Sequence, residues 1–204
     1  MTESITIAVD AMGGDNAPSV VLAGCAAALE KDPSLHVILC GPADVVEPFA
    51  ANHDRCEAAV ATEVIGMAEH PAEAVRKKKN SSISVACRLV KEGRAQGFYS
   101  AGSTGACLAA ATLIMGRIKG IARPALATVI PSPVRPVLMC DVGANADCKP
   151  AYLVQFAQMA SVFAEYLLHI ENPRVALLSI GEEETKGSQF AQAAFALLKE
   201  KVPN

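Results

Sequence analysis

Hydroxyl groups and glycines gather in one short segment whose residue types suit an anion. The segment Ser100-Ala101-Gly102-Ser103-Thr104-Gly105 lies between a strand-like run and an apolar, helix-like run. Its small residues let an anion approach backbone N–H groups while Ser103 or Thr104 donates a hydroxyl. The same residues also suit an ordinary helix N-cap, and both interpretations stay open because a cap and a phosphate use the same turn. We predict substrate-binding roles for Gly102, Ser103, Thr104 and Gly105.

A basic cluster directly precedes a second capping sequence. Four cations, Arg76 to Lys79, stand before Asn80, Ser81 and Ser82. This order surrounds a helix N-terminus with positive charge and concentrates an anion there, although a solvated run of charges is the alternative. We predict that Lys78 and Lys79 are catalytic, and that Asn80, Ser81 and Ser82 bind substrate.

A glycine pair follows the first strand-like run, Ile5–Asp10. Gly13 and Gly14 allow a backbone to approach a ligand closely, and Asp10 or Asp15 can orient it, although an ordinary turn explains the pair equally well. The first turn is not G-x-G-x-x-G, and G-x-x-x-x-G-K-[ST] occurs nowhere in the chain. Both absences argue against a nicotinamide or P-loop enzyme.

Two later loops carry acidic and amide groups. Asp141 and Asn145 follow a strand-like run and precede Lys149, without a histidine that would favour a metal. We predict that these three residues are catalytic, with Asp141 and Asn145 positioning the substrate by hydrogen bonds, and that they bind no metal. Glu182 lies in the acidic loop 181–187, where it serves as an acid or base or simply complements a helix dipole.

Nucleophilic catalysis by a side chain has no recognisable motif here. The four histidines lack a serine or cysteine partner at a known spacing, and G-x-S-x-G is absent. The seven cysteines are dispersed and never form C-x-x-C, so we predict reduced core residues rather than disulfides or zinc ligands.

Alternating strand-like and helix-like runs must position these loops. We predict strands at 5–10, 36–41, 58–63, 97–101, 125–130, 136–142 and 174–180. Helices are predicted at 43–52, 81–92, 104–115, 150–168 and 186–201, with a further Ala-rich helix after residue 18. The pattern indicates a single α/β domain over residues 1–204, with a doubly wound, mostly parallel sheet and right-handed crossovers. Ligand sites of such sheets lie beyond the carboxyl ends of the strands.

Composition excludes several classes of protein. With 51% hydrophobic and 19% charged residues the chain is globular, and a net charge of −3 argues against nucleic acid as a partner. Its apolar runs are shorter than the roughly 20 residues of a membrane span. The first residues lack a secretory signal, so we expect a cytoplasmic protein.

Several of these segments together resemble one family, the phosphate acyltransferases of the PlsX type. The resemblance rests on segments 10–15, 77–82, 100–105, 116–127, 141–145, 153–156, 172–176 and 180–187. Ser103 stands where that family usually has Asn. The resemblance implies a Rossmann-like fold similar to phosphate acetyltransferases and isocitrate-type dehydrogenases, a homodimer, and further strands and helices after Asn204.

The implied reaction transfers a fatty acyl group from an acyl carrier protein thioester to inorganic phosphate for phospholipid synthesis. It needs no cofactor and no acyl-enzyme, since phosphate is itself a nucleophile that N–H groups, hydroxyls and lysine can hold. Lys149 or Glu182 would protonate the leaving thiolate, and Arg117, Lys119 and Arg123 would steer the acidic carrier protein. Peripheral contact with the inner face of the membrane is also implied. The alternatives are a dehydrogenase-fold enzyme and a non-catalytic module that binds a carrier protein or acyl chain.

Overall fold

A parallel four-stranded sheet organises the first half of the chain. The computed structural model describes residues 4–204 and divides into two compact units, Met1–Gly116 and Arg117–Asn204. The strands of the first unit are β1 (Ile5–Asp10), β2 (Leu35–Gly41), β3 (Cys56–Val60) and β4 (Gly97–Tyr99). They are all parallel, in the order β3-β2-β1-β4.

Helices cover both faces of this sheet, which is why its strands are apolar on both sides. They are α1 (Ser19–Lys31), α2 (Ala43–Ala51), α3 (Pro71–Lys77), α4 (Ser82–Lys91) and α5 (Thr104–Ala110), the last extended by a π-helical turn, Ala111–Met115. Val9 of β1 packs in the cluster of α1 and α2, whereas Ala8 packs in the cluster of α4. Because successive strand residues point to opposite faces, Asp10 lies on the α4 side with Ala8.

The second unit combines a β-hairpin with two helices. Strands β5 (Ala127–Ile130) and β6 (Val137–Cys140) pair antiparallel. Helices α6 (Pro150–Tyr166) and α7 (Gln189–Lys201) pack together, and their buried side chains include Val154, Phe156 and Ala194. Several large apolar side chains of this unit are exposed, among them Val134, Leu178 and Ile180.

The α/β class and the parallel sheet are confirmed, while two details of the prediction are wrong. Residues 174–180 form no strand. Strands β5 and β6 are antiparallel because the connection between them is too short for the crossover that a parallel pair needs. Helix α3 was not among the predicted helices, although Pro71 at its start and Glu73 in its first turn are helix signals. The single domain over residues 1–204 stays a prediction.

The side chain of Arg55 joins the end of α1 to the start of β2. Its guanidinium donates to the backbone carbonyls of Leu29, Asp32 and Leu35, the last two at 2.8 Å each. Leu29 lies in the last turn of α1, and Leu35 begins β2. One side chain therefore satisfies the end of a helix and the start of the next strand.

Replacing Arg55 tests this role. We expect Arg55→Ala to lower the free energy of unfolding by about 2 kcal/mol, because hydrogen bonds from a charged donor are each worth about 1.5–3 kcal/mol. Urea unfolding followed by circular dichroism measures the loss. The matched control is Arg94→Ala, which breaks only an exposed ion pair with Glu57 and should cost under about 1 kcal/mol. Equal losses in the two variants would contradict the assignment.

Candidate active site

The sheet of the first unit has a topological switch point between β1 and β4. The chain proceeds from β1 to β2 and β3 on one side, and β4 then returns to the other side of β1. The loops that follow β1 and β4 therefore leave the sheet side by side, at its carboxyl edge. Crevices at such points are where open α/β sheets bind ligands.

A buried carboxylate joins these two loops. Asp10 is only 1% exposed, and its Oδ2 accepts the hydroxyl of Ser100 at 2.7 Å. Its Oδ1 accepts the N–H of Met12 at 3.0 Å. Ser100 Oγ in turn accepts the N–H of Gly102 at 3.0 Å. The predicted site residues Asp10 and Gly102 are thus connected through Ser100.

The glycine pair lies directly on this connection. A Cβ on Gly13 would lie 2.7 Å from Ser100 Oγ and 2.8 Å from the Gly102 nitrogen, so no side chain fits there. Gly14 has a φ of +98°, which glycine adopts without strain. Asp15 follows as an exposed residue. The structure brings Gly13, Gly14 and Gly102 together, and their role in binding substrate stays a prediction.

Helix α5 begins beside this connection. Ser103 is its N-cap, with Oγ accepting the N–H of Ala106 at 3.4 Å, while Thr104 is exposed. A Cβ on Gly105 would lie 2.7 Å from Pro71 Cγ, so glycine lets the starts of α3 and α5 pack closely. The capping interpretation of Ser103 is therefore met, and its role in binding substrate stays a prediction.

The start of α4 contains three serines with different roles. Ser81 is the N-cap: its Oγ accepts the N–H of Ser84 at 3.3 Å and donates to Ser84 Oγ at 2.8 Å. Ser82 is 1% exposed, and its Oγ has no hydrogen-bond partner among residues 4–204. The Ser82 hydroxyl is thus an unsatisfied polar group, and its burial without a hydrogen-bond partner costs folding free energy.

The lysines before α4 differ in the same way. Lys78 Nζ lies 2.7 Å from Glu69 Oε1 and donates to the Val64 carbonyl at 2.8 Å. Hydrogen bonds from Lys78 and from the Gly66 N–H lower the pKa of the Glu69 carboxyl. Lys79 is exposed and makes no ion pair within the described part of the chain. Lys78 is thus paired with a carboxylate, whereas Lys79 has no such pair among the described residues.

Glu63 holds this segment from the strand side. Its carboxylate accepts the N–H of Asn80 at 2.9 Å, and its backbone carbonyl accepts the N–H of Ser82 at 3.2 Å. Asn80 Nδ2 also donates to Thr62 Oγ1 at 2.9 Å. Asn80 therefore lies tethered to the loop that follows β3. Sequence reasoning missed Glu63 and Glu69, and it gave Ser100 no role of its own within the segment 100–105.

In the second unit, Asp141 organises its own loop. Its two oxygens accept the N–H groups of Leu126 at 2.8 Å, Ala144 at 3.2 Å and Asn145 at 2.9 Å. Asn145 Nδ2 donates to Asp141 Oδ2 at 3.2 Å and to the Pro124 carbonyl at 2.9 Å. These contacts fix the loop between β6 and α6. Their direct part in catalysis stays a prediction.

Lys149 and Glu182 belong to the same unit. Lys149 precedes α6, and its side chain forms no cap there. Glu182 is exposed, and its neighbour Glu184 pairs with Lys199 at 2.8 Å. No cluster of three histidine, cysteine, aspartate or glutamate side chains within residues 4–204 is arranged to hold a metal ion. None of the helices described has both the length and the apolar composition that crossing a membrane requires.

The buried thiols of Cys40 and Cys87 and the half-buried thiol of Cys107 lie near enough to the Asp10 carboxylate to be affected by its charge. Burial, and secondarily the charge of Asp10, raises the pKa of Cys40 to about 12. Burial, followed by the effects of Cys107 and Asp10, raises the pKa of Cys87 to about 12. The pKa of Cys107 is also raised, mainly by burial. These thiols are therefore protonated at neutral pH and are poor nucleophiles.

The whole chain matches a known family. Residues 5–203 match the family model FA_synthesis, described as "Fatty acid synthesis protein". The phosphate acyltransferase of Heliobacterium modesticaldum is 52% identical over 95% of this chain and 59% of its own length. That of Clostridium acetobutylicum is 48% identical over 95% of this chain and 60% of its own length. The chain thus spans less than two thirds of these curated relatives.

A solved structure supports the fold independently. The EutD phosphotransacetylase from Staphylococcus aureus superimposes with a TM-score of 0.66, at 21% sequence identity. The match covers 98% of this chain and 65% of that one. At this identity the likeness establishes the fold alone, and it confirms the predicted similarity to phosphate acetyltransferases in fold.

The adjacent serines at the start of α4 should respond oppositely to alanine. We expect Ser81→Ala to lower the free energy of unfolding by about 1 kcal/mol, because the helix loses its N-cap. Ser82→Ala should raise that free energy by about 1 kcal/mol, because it removes a buried hydroxyl that has no partner. Urea unfolding in buffer free of phosphate measures both. A loss in Ser82→Ala equal to that in Ser81→Ala would show that its hydroxyl is bonded.

The buried thiols should resist alkylation. At pH 8 in native buffer we expect iodoacetamide to leave Cys40 and Cys87 unmodified, whereas in urea all seven cysteines react. Because their folded pKa values are raised, their contribution to stability is complete below the unfolded pKa and is lost as pH rises toward about 12. Mass spectrometry of tryptic peptides gives the result. Rapid native labelling of either cysteine would contradict it.

Proposed function

Since the chain belongs to the FA_synthesis family of fatty acid synthesis proteins, we propose that it transfers a fatty acyl group from an acyl carrier protein thioester to inorganic phosphate. A phosphate oxygen attacks the thioester carbonyl carbon, the carbon–sulfur bond breaks, and the thiolate takes up a proton. The products are an acyl phosphate, which serves phospholipid synthesis, and the carrier protein thiol. Relatives with 48% and 52% identity, named phosphate acyltransferases, support this assignment.

The observation that carries the proposal is the pair of loops at the switch point. The backbone N–H groups of Gly14, Ala101 and Ser103 donate to no acceptor among the described residues. Gly14 lies against Ala101, since a Cβ on Gly14 would be 3.2 Å from the Ala101 carbonyl oxygen. Free N–H groups on adjoining loops suit a compact oxyanion such as phosphate. They also suit the negative charge that builds on a thioester oxygen during attack.

Cationic support comes from Lys79 in this proposal. It is the exposed lysine of the run 77–79 without an ion pair among residues 4–204, whereas Lys77 pairs with Glu73 at 2.6 Å and Lys78 with Glu69. Lys78 then acts through the loop that it anchors. The free Ser82 hydroxyl supplies a further donor at the start of α4.

The residues of the second unit keep the roles that the sequence predicts for them. Asp141 holds Asn145, whose amide would position substrate, and Lys149 or Glu182 would supply the proton to the departing thiolate. The exposed cations Arg117, Lys119 and Arg123 would steer the acidic carrier protein. Homodimer formation and peripheral membrane contact remain predictions, and the exposed apolar side chains Val134, Leu178 and Ile180 are compatible with either.

Product analysis tests the function. The chain is mixed with an acyl carrier protein thioester with or without inorganic phosphate. We expect free thiol and acyl phosphate in equal amounts, and neither without phosphate. Hydroxylamine trapping quantifies the acyl phosphate. Tight binding of the thioester without turnover would indicate the binding module instead. Turnover only with a nicotinamide cofactor would indicate a dehydrogenase.

The neighbouring lysines should separate in a kinetic comparison. Lys79→Ala should raise the KM for phosphate about tenfold and lower kcat, because a cation beside the anion matters more as charge develops. Lys77→Ala is the matched control, since its ammonium is engaged by Glu73 on the solvent side, and it should leave the KM for phosphate unchanged. Identical kinetics for the parent, Lys79→Ala and Lys77→Ala would show that the lysine run 77–79 is only a solvated charge cluster.

A further inference from the structure

We propose that Ser100 is a positioning residue, whose hydroxyl ties the buried Asp10 to Gly102 and so sets the spacing between the loops after β1 and β4. The inference rests on the proposed function, because these are the loops whose N–H groups would hold phosphate. Asp10, in this view, acts through Ser100 and does not touch the substrate.

The hydrogen bond lies where backbone pairing between the strands stops. Strands β1 and β4 pair over only three positions, from Ile7↔Gly97 to Val9↔Tyr99. Asp10 is the last residue of β1 and Ser100 directly follows β4, and their side chains make the 2.7 Å bond. On its other side β1 stays paired, since the Ala11 N–H still donates to the Cys40 carbonyl at 2.9 Å. The hydrogen bond between the Asp10 and Ser100 side chains therefore takes the place of backbone pairing between β1 and β4 at this edge of the sheet.

Ser100 Oγ has a defined orientation because it both donates and accepts a hydrogen bond. It donates to a carboxylate that is 1% exposed, and it accepts the N–H of Gly102. A hydrogen bond to a buried charged group is among the stronger ones. The hydroxyl consequently has one favoured rotamer, and Gly102 is drawn toward Asp10.

The glycine loop packs on that hydroxyl. The space at Gly13 is closed by Ser100 Oγ, the Gly102 nitrogen and Asp10 Oδ2, which would lie 2.7, 2.8 and 2.9 Å from a Cβ there. A shift of Ser100 must therefore move Gly13 and Gly14 relative to Gly102 and Ser103. Since a small displacement of donors weakens anion binding strongly, the Ser100 hydroxyl influences a ligand that it does not contact.

Three serine variants test this role. Ser100→Ala removes the hydroxyl that connects Asp10 to Gly102, and Ser100→Thr keeps that hydroxyl. Ser34→Ala is the control, because Ser34 Oγ makes an equally short bond of 2.7 Å to Asp32, on the exposed connection between α1 and β2. Binding of inorganic phosphate is measured by calorimetry, and exchange of the Gly14 and Gly102 amides is measured by NMR.

We expect Ser100→Ala to weaken phosphate binding about tenfold and to speed amide exchange at both glycines. Ser100→Thr should restore phosphate affinity to within about threefold of the parent, and Ser34→Ala should match the parent in both measurements. Gly13→Ala, whose methyl group would displace Ser100 Oγ from the other loop, should reproduce the Ser100→Ala result. This second variant decides the matter if Ser100→Ala does not fold.

The outcomes separate the two proposals. Parent-like exchange at Gly14 and Gly102 in Ser100→Ala would overturn the positioning role, whatever the phosphate affinity. Faster exchange together with no phosphate binding by any protein, the parent included, would uphold the tie between the loops and overturn the proposed phosphate site. Failure of Ser100→Thr to restore affinity, with normal exchange, would also overturn the positioning role.

Discussion

The hydrogen bond between Ser100 and the buried Asp10 carboxylate joins the loops that follow β1 and β4, at the point where backbone pairing between the two strands ends. Parallel strands bring loops to a common edge, but the sheet ladder ends at Val9 and Tyr99, one residue before the loops begin. Beyond that point no backbone hydrogen bond joins the segments after β1 and β4 among the described residues. The Asp10 carboxylate and the Ser100 hydroxyl join them instead, and the absence of a side chain on Gly13 lets the loops close over them.

Around the start of α4, contacts within the protein likewise satisfy most polar side chains. Glu63 fixes Asn80, Glu69 neutralises Lys78, and Ser81 caps the helix. Each group that the fold requires is thereby satisfied within the protein. What remains unsatisfied is informative, since the Ser82 hydroxyl and the charge of Lys79 have no partner within the described residues. Groups of this kind are the ones available to a ligand.

Periodicity and turn chemistry were sufficient to predict the parallel sheet and most helix positions, because β-branched runs such as 5–10 and Ala-rich runs after residue 18 have one structural solution. They failed at residues 174–180, where an apolar run forms no strand. A strand needs a hydrogen-bonding neighbour, and that neighbour is not visible in a local pattern. Helix α3, which packs against α5, was likewise not predicted, although Pro71 and Glu73 are helix signals.

In the candidate site, too, some residues could be predicted from the sequence and others could not. The glycines and serines could be predicted as candidate site residues because they follow strands, although ordinary turns and helix caps use the same residue types. The structure places Asp10, Gly13, Gly14 and Gly102 together. The partners of the charged residues were not identifiable, because Glu69 reaches Lys78 through the fold of the loop between them. A run of lysines consequently reads as uniform in sequence, yet its members differ physically: Lys77 and Lys78 each face a carboxylate, and Lys79 does not. Electrostatic attraction of an anion therefore depends less on the number of cations than on which of them the fold leaves uncompensated.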